Sequence, residues 1–195
     1  MKCMQAVLIG VSDRTTLWRH GKLKKEEYAA FVNDYAKFLA DNFDNIIITP
    51  DDGVYTDIAL EFGRLKNKKP IAYYPDKDEY YGITHIKENF PNYDIRPING
   101  DWYKLNADLT KQALITICLG FSPGVLIELA FIKYHQQYGG KKDRSLKNIH
   151  CFIDERCIKD RLPETFHEQI KNIFYYKSLG ELKGLLNKAS PGLKE

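Results

Sequence analysis

Residues 120–129 of this 195-residue chain, G-F-S-P-G-V-L-I-E-L, combine a glycine turn, a hydroxyl and a carboxylate in one short segment. Ser122 followed by Pro123 is the order typical of a helix N-cap and the first helical residue. Unpaired backbone N–H groups in the first turn of a helix form an anion site, so we expect a phosphate group at residues 122–125. The predicted binding residues of this segment are Gly120, Ser122, Gly124 and Val125.

Glu128 is the lone acidic residue in a stretch that is apolar nearly all round from Val125 to Tyr134. A carboxylate in apolar surroundings either finds a specific partner or shifts its pKa, and both are common at active sites. The alternative is a structural role, in which the helix N-terminus and a nearby lysine stabilise the carboxylate. We take Glu128 as the candidate catalytic residue.

A second polar turn follows the first apolar run and contains Gly10, Ser12 and Arg14. Gly10 and Ser12 allow a close backbone turn and offer a hydroxyl, and Arg14 can pair with a phosphate. The turn is not a G-x-G-x-x-G dinucleotide motif, and no G-x-x-x-x-G-K-[ST] phosphate loop occurs in the chain. The alternative is an ordinary turn rich in Ser, Asp and Thr.

A third turn places Asp51, Asp52 and Gly53 in front of a predicted helix. Adjacent carboxylates of this kind can hold the hydroxyl groups of a sugar. They can also cap the helix, because Asp and Thr near a helix N-terminus satisfy free amides and complement the dipole. Capping explains Thr56 and Asp57 better than it explains Asp51 and Asp52.

The elements that must position these turns alternate along the chain. Apolar or β-branched runs occur at residues 6–11, 45–49, 70–74, 114–119 and 149–153, with a weaker run at 93–98 that contains Pro97. Helical periodicity occurs at residues 26–43, 56–65, 125–138, 164–174 and 179–186. Near-continuous apolar strands alternating with helices predict a single Rossmann-like, doubly wound α/β domain over residues 1–195, with a mainly parallel central sheet flanked by helices. In such folds the ligand lies at the carboxyl ends of the strands, where all three turns fall.

Composition excludes several classes of protein. Hydrophobic residues are 44% and charged residues 28%, which is typical of a globular chain and not of a disordered one. The 29 basic and 26 acidic residues give a net charge of +3, too mild to indicate a nucleic-acid or membrane partner by itself. No apolar run reaches the roughly 18 residues of a membrane helix, and no signal peptide opens the sequence, so we expect a soluble, cytoplasmic protein.

The cysteines and the basic loops are interpreted as structural. The four cysteines are scattered without a C-x-x-C pair, so we expect buried reduced thiols, no metal site and no cofactor. Two polar segments carry clusters of basic residues, which we expect to be solvated loops and not a nucleic-acid surface. These basic residues are Lys22, Lys24, Lys25, Lys141, Lys142 and Arg144.

Residues 120–129 resemble a divergent form of the P-G-G-x-G-T-x-x-E signature of the LOG-like (SLOG) Rossmann superfamily, which includes the "lysine decarboxylase-like" proteins. The resemblance extends over roughly residues 5–155, through the turn with Gly10 and Ser12 and the segment from Gly53 to Ala59. It implies a nucleotide ligand and hydrolysis of the N-glycosidic bond of a nucleoside monophosphate. The implied roles are ribose binding by Asp51 or Asp52, and either orientation of the ribose hydroxyls or transition-state stabilisation by Glu128. The base would stack on Trp102 or Tyr103, in the turn before the strand at residues 114–119.

The sequence departs from the signature at several positions. The departures are Val125 for the Thr, Ile127 for the first Glu of the active enzymes, and Leu105 beside Asn106 where an Arg usually precedes the Asn. Glu128 is kept, so nucleotide binding carries over better than catalysis. A ligand-sensing protein without chemistry, for a nucleotide or an ADP-ribose derivative, is therefore the alternative function.

A second resemblance is to the nucleoside 2-deoxyribosyltransferases, which also attack an N-glycosidic bond. It rests on Asp52-Gly53, on Glu61-Phe62-Gly63 and on K-K-P-I at residues 68–71, with spacing that differs by several residues. Both resemblances favour a nucleotide or nucleoside as the small-molecule partner. The helix at residues 125–138 is apolar on both sides, so we also expect it to pack against a second copy in a homodimer.

Overall fold

Seven parallel strands form one sheet through the centre of the computed structural model, which describes residues 4–65, 68–77, 92–139 and 143–189. In chain order the strands are β1 (Gln5–Gly10), β2 (Asn45–Ile48), β3 (Ile71–Pro75), β4 (Asp94–Ile98), β5 (Ile115–Leu119), β6 (His150–Asp154) and β7 (Ile173–Tyr176). Their spatial order is β4-β3-β2-β1-β5-β6-β7. The pairings between these described strands are all parallel, for example Val7 with Ile47 on one side and with Thr116 on the other.

Helices cover both faces of this sheet. They are α1 (Thr15–Arg19), α2 (Tyr28–Asn42), α3 (Val54–Arg64), α4 (Trp102–Leu109), α5 (Pro123–Gln137), α6 (Glu164–Gln169) and α7 (Leu179–Ala189). The side chains of β1 alternate between the two faces: Ala6 and Leu8 pack with α2, α3 and α7, whereas Val7 and Ile9 pack with α4 and α5. Burial on both faces explains why the strands are continuously apolar. The predicted Rossmann-like α/β fold with a parallel central sheet is confirmed.

The strand order reverses at β1, because β2 lies on one side of it and β5 on the other. The chain builds β1 to β4 outward in one direction and then crosses back to place β5 beside β1. In doubly wound sheets a crevice forms outside the carboxyl ends of the strands at such a reversal. The turns after Gly10 and after Leu119 therefore meet at one place.

The strand predictions hold within one or two residues, and β4, which contains Pro97, is an edge strand of the sheet. The predicted helix at 164–174 is wrong in its second half. Helix α6 ends at Gln169, Asn172 has a φ of 62°, and Phe174 lies in β7, where its ring stacks on Phe152 at 5.5 Å between centroids. Aromatic and β-branched residues favour an edge strand here over a longer helix.

Three of the cysteines, Cys118, Cys151 and Cys157, are buried free thiols, as predicted, and Cys3 lies outside the described residues. Within the described ranges, no helix is both long and apolar enough to cross a lipid bilayer. In the first basic segment, which contains Lys22, Lys24 and Lys25, Leu23 is buried. The preceding Leu17 is also buried, in α1 (Thr15–Arg19), so this segment is more ordered than the solvated loop that we expected. Lys141 and Lys142 lie outside the described residues.

Candidate functional site

A cleft opens at the carboxyl ends of β1 and β5, at the reversal of strand order. It encloses about 490 Å³, a volume that includes open solvent at its mouth. The residues that line it are Ile9, Gly10, Ser12, Thr49, Asp51, Tyr55, Trp102, Asn106, Ser122, Gly124, Val125 and Glu128. Most of the predicted binding residues are thus brought together, whereas Arg14, Asp52, Gly53 and Gly120 do not line the cleft.

Glu128 lies on α5 with its side chain in the wall of the cleft and is 8% exposed. Among the described residues, the Glu128 carboxyl group has no hydrogen-bond or ion-pair partner. The alternative role, in which a nearby lysine pairs with this carboxylate, therefore has no support among these residues. Burial without a partner disfavours the charged form and raises the pKa of Glu128 to about 8. At neutral pH the group is therefore mainly a neutral acid that can donate a hydrogen bond into the cleft.

The N-terminus of α5 is capped by its own side chain. Ser122 has extended backbone angles, and its hydroxyl accepts a hydrogen bond from the Val125 N–H at 3.3 Å, so the predicted N-cap is confirmed. Pro123 has no N–H, and the Leu126 N–H donates to the Ser122 carbonyl at 3.0 Å. In the described part of the chain, the Gly124 N–H is therefore the only backbone donor of residues 123–126 without a partner.

Glycines allow the three turns to pack closely. Gly53 has a φ of 140°, and a Cβ there would lie 2.6 Å from the Val11 carbonyl oxygen. Gly120 has a φ of 105°, and its Cβ would lie 3.0 Å from Val11 Cγ1. Both conformations favour glycine. Gly53 and Gly120 thus hold the turn after β2 and the turn after β5 against the turn after β1.

A group of hydroxyls covers the β2 side of the cleft. The Tyr55 hydroxyl hydrogen bonds with the side chains of Thr49 and Ser12, and burial raises the pKa of Tyr55. Ser12 Oγ also donates to Asp51 Oδ2 at 3.4 Å, and the Asp52 N–H donates to Asp51 Oδ1 at 2.7 Å. Tyr55 and Thr49 were not predicted as site residues. The available signal was their position, at the end of an apolar run and at the start of the helix that follows it.

Arg14 lies beside the cleft, and its guanidinium group is paired with two carboxylates. Its Nη2 donates to Asp57 Oδ1 and to Asp52 Oδ1, both at 2.7 Å, and its Nε donates to Asp57 Oδ2. These partners raise the pKa of Arg14 and lower the pKa of Asp52. The Tyr28 hydroxyl donates to Asp57 at 2.5 Å, so Asp57 anchors a side-chain cluster and does not cap its own helix.

The opposite wall is the first turn of α4. Asp101 caps this helix by accepting a hydrogen bond from the Lys104 N–H at 2.9 Å. The prediction of a turn at Trp102 is therefore wrong, because Trp102 is the first residue of a helix. Trp102 and Asn106, four residues apart, lie on the same face and line the cleft. Tyr103 is 85% exposed and does not line it.

Two of the positions that depart from the family signature, Leu105 and Ile127, do not line the cleft. Leu105 is fully buried in the protein interior, and Ile127 is 51% exposed on the outer face of α5. Neither position supplies a polar group to the cleft. Within the described ranges, no cluster of three or more His, Cys, Asp or Glu side chains could hold a metal ion.

The fold has several solved relatives, although no protein-family model and no curated protein sequence matches the chain. The structure of TM1055 is 14% identical and has a TM-score of 0.64, covering 95% of this chain and 99% of its own. The molybdenum cofactor binding protein from the phototrophic bacterium Rippkaea orientalis is 13% identical with a TM-score of 0.62, covering 96% of this chain and 98% of its own. DNA processing protein A from Helicobacter pylori, described with a single-stranded DNA binding mode, is 14% identical with a TM-score of 0.57, covering 95% and 80%.

These similarities span nearly the whole chain at very low sequence identity. They agree with the sheet of seven parallel strands flanked by helices. The chain therefore has the same Rossmann-like fold as these solved structures, in a divergent sequence.

Proposed function

We propose that the cleft binds a small molecule of the nucleotide or nucleoside class, with its sugar near Asp51 and Glu128 and its base beside Trp102. The observation that carries this proposal is the Glu128 carboxyl group, which is 8% exposed, faces the cleft and has no partner among the described residues. Burying a polar group without a partner costs free energy. A ligand oxygen or nitrogen that hydrogen bonds with Glu128 would offset that cost.

The character of the cleft supports a ligand of this class. Ser12, Thr49 and Tyr55 offer hydroxyls, and Asn106 offers an amide, groups that match the hydroxyls of a sugar and the edge of a base. The indole of Trp102 offers an aromatic surface. Two of the structural relatives are described as binding the molybdenum cofactor and single-stranded DNA, respectively, so proteins of this fold bind small molecules as well as nucleic acid.

Hydrolysis of an N-glycosidic bond is the reaction that these side chains suit best. Glycoside hydrolysis uses two carboxyl groups in different protonation states, and both Asp51 and Glu128 line the cleft. Neutral Glu128 would donate a proton to a nitrogen of the departing base as the C–N bond breaks. A water molecule that gives its proton to Asp51 would form the new bond to the anomeric carbon. In this scheme Glu128 acts as a general acid and does not stabilise positive charge as an anion.

Incubation with a panel of nucleosides and nucleoside monophosphates tests the reaction, with free base measured by chromatography. We expect base release by the wild type, and a loss of at least a hundredfold in Glu128→Gln, because the amide cannot supply the proton. Glu61→Gln is the matched control, since Glu61 pairs with Arg64 on the surface of α3. Equal base release by the wild type and Glu128→Gln would contradict a catalytic Glu128.

Ligand binding without chemistry is the second candidate function. The observation that favours it is the burial of Leu105 and the outward position of Ile127, which leave two polar groups of the family signature without counterparts in the cleft. A thermal shift with a nucleotide, a nucleoside or an ADP-ribose derivative, without release of base, would support this candidate. A ligand at a hundredfold excess over its Kd stabilises a protein by about 2.7 kcal/mol, enough to measure.

The same chain is proposed to form a homodimer through α5. Ile127, Tyr134 and Tyr138 are 51%, 49% and 60% exposed, and their spacing of seven and four residues places them on one face of the helix. Tyr138 directly follows the last residue of α5, and its ring stacks on that of Tyr134. A stripe of large apolar side chains on one helix suits a self-complementary contact about a two-fold axis.

A further inference from the structure

The charges around the cleft disfavour a phosphate ester. None of the described residues that line it is Lys or Arg, and its two ionisable carboxyl groups belong to Asp51 and Glu128. A phosphate monoester carries a charge of about −1.5 to −2 at pH 7. Placing it beside Asp51 would bring like charges together where water is partly excluded, which raises its free energy.

The nearest cation that the sequence suggested for a phosphate is already engaged. Arg14 holds Asp57 through two of its nitrogen atoms and Asp52 through one. The Asp57 side chain is only 22% exposed, so withdrawing Arg14 toward a ligand would leave a largely buried carboxylate without its counter-charge. The ion pair that Arg14 would form with a phosphate would therefore be offset by the loss of its ion pair with Asp57.

The backbone offers little compensation at the helix N-terminus. Phosphate sites of this type use several N–H groups that converge on the anion. Here Pro123 lacks an N–H and Ser122 Oγ occupies the Val125 N–H, so the Gly124 N–H is the remaining donor in this described turn. Apart from Asp51, the side chains that the cleft presents for hydrogen bonding, including neutral Glu128, are uncharged.

We propose that the cleft selects an uncharged, unphosphorylated nucleoside over the corresponding 5′-monophosphate. This inference rests on the proposed function, since it names the ligand class of the same site. It separates this chain from an enzyme for nucleoside monophosphates, because the ligand would be held through its sugar and base alone. Asp51 then accepts hydrogen bonds from sugar hydroxyls, and its negative charge rejects the phosphorylated form.

Binding of matched pairs, such as adenosine against AMP and cytidine against CMP, tests the inference by calorimetry with the wild-type chain at pH 7. We expect at least one nucleoside to bind about tenfold more tightly than its 5′-monophosphate. A monophosphate that binds as tightly as its nucleoside, or more tightly, overturns this inference and leaves the proposed function standing. If neither member of any pair binds, both proposals are wrong.

A pair of neighbouring carboxylates provides the matched variants. Asp51→Asn removes the negative charge from the cleft and keeps the shape of the side chain, so we expect the preference for the nucleoside to fall severalfold. Asp52→Asn is the control, because the Asp52 side chain is 74% exposed and lies outside the cleft. An unchanged ratio of the two affinities in Asp51→Asn would show that Asp51 does not reject the phosphate.

Discussion

The guanidinium of Arg14 and the carboxylate of Asp57 form a two-point ion pair, with Nη2 at 2.7 Å from Oδ1 and Nε bonded to Oδ2. This pair joins the turn after β1 to the first turn of α3. The Tyr28 hydroxyl, from the start of α2, donates to the same carboxylate at 2.5 Å. Three segments that are distant in sequence are thereby fixed beside the cleft. Planar Arg–carboxylate pairs of this kind are geometrically specific as well as strong.

Arg14→Ala should lower the free energy of unfolding by about 2 kcal/mol, because Asp57 is only 22% exposed and loses a charged donor. Urea unfolding followed by circular dichroism measures the change. Asp52→Ala is the control: it removes the other partner of Arg14, but its side chain is 74% exposed, so we expect a change within about 0.5 kcal/mol. A control variant as unstable as Arg14→Ala would contradict the assigned importance of Asp57.

A second prediction compares two arginines in the segment between β6 and α6. Arg156 pairs with Asp154, which is 0% exposed, and its guanidinium lies 4.9 Å from the ring centroid of Phe31. Arg156→Ala would leave a buried carboxylate without its counter-charge, so we expect a loss of about 3 kcal/mol in the free energy of unfolding.

Arg161 provides the matched comparison, since it also pairs with an acid, Glu155, and lies over an aromatic ring, that of Tyr175. The Arg161 side chain is 60% exposed, so solvent screens its charge, and Lys177 Nζ lies 3.8 Å from the same Glu155 carboxylate, so this acid keeps a cation when Arg161 is removed. Arg161→Ala should therefore cost less than about 1 kcal/mol. The same urea unfolding experiment measures both variants. Equal losses would mean that neither the exposure of the arginine nor a second cation beside the acid determines the strength of these pairs.

The central strands could be predicted from sequence because burial on both faces demands continuous apolar runs, as in residues 115–119. The edge strand β7 could not, because most of its side chains are only partly buried and its aromatic residues also fit a helical period. The start of α4 was missed for a related reason. Its stable cap depends on the Asp101 side chain and the Lys104 N–H, whereas Trp102 and Tyr103 next to it suggested a loop.

The residues of the cleft were predicted where one local segment supplied them, as with Ser122, Gly124 and Glu128. Partners from elsewhere in the chain could not be anticipated. Asp57 lies 43 residues from Arg14 in the sequence. Its position near the start of a helix was explained by capping alone, so nothing in the sequence indicated a distant partner. The proximity of these two side chains depends on the packing of β1 beside β2, which no single segment encodes.

The third prediction concerns the apolar stripe on α5. If two copies pack through this face, light scattering should give the mass of two chains at micromolar concentration, and Ile127→Glu should reduce it to one. Burying a carboxylate in an apolar interface without a partner is strongly unfavourable. Tyr103→Glu is the control, because Tyr103 is 85% exposed on α4, away from the stripe, and the variant should keep the wild-type mass. A wild type with the mass of one chain would exclude the dimer.

The fourth prediction follows from the raised pKa of Glu128. In the unfolded chain this carboxyl group ionises near 4.5, whereas in the folded protein it keeps its proton up to about 8. Between these values the folded state binds more protons than the unfolded state, so the stability from this group is full below pH 4.5 and is lost as pH rises toward 8. The loss approaches about 1.4 kcal/mol per pH unit within this window.

Glu128→Gln keeps the shape of the side chain but cannot ionise, so its stability should lack this dependence. We expect the variant to be more stable than the wild type by about 3 kcal/mol at pH 7, and equally stable near pH 4. Urea unfolding at intervals from pH 4 to 9 measures both curves, with Glu61→Gln as a control that should follow the wild type, since Glu61 is paired at the surface. Parallel curves for the wild type and Glu128→Gln between pH 5 and 8 would show that Glu128 is ionised in the folded protein, and with it the proposed role as proton donor would be lost.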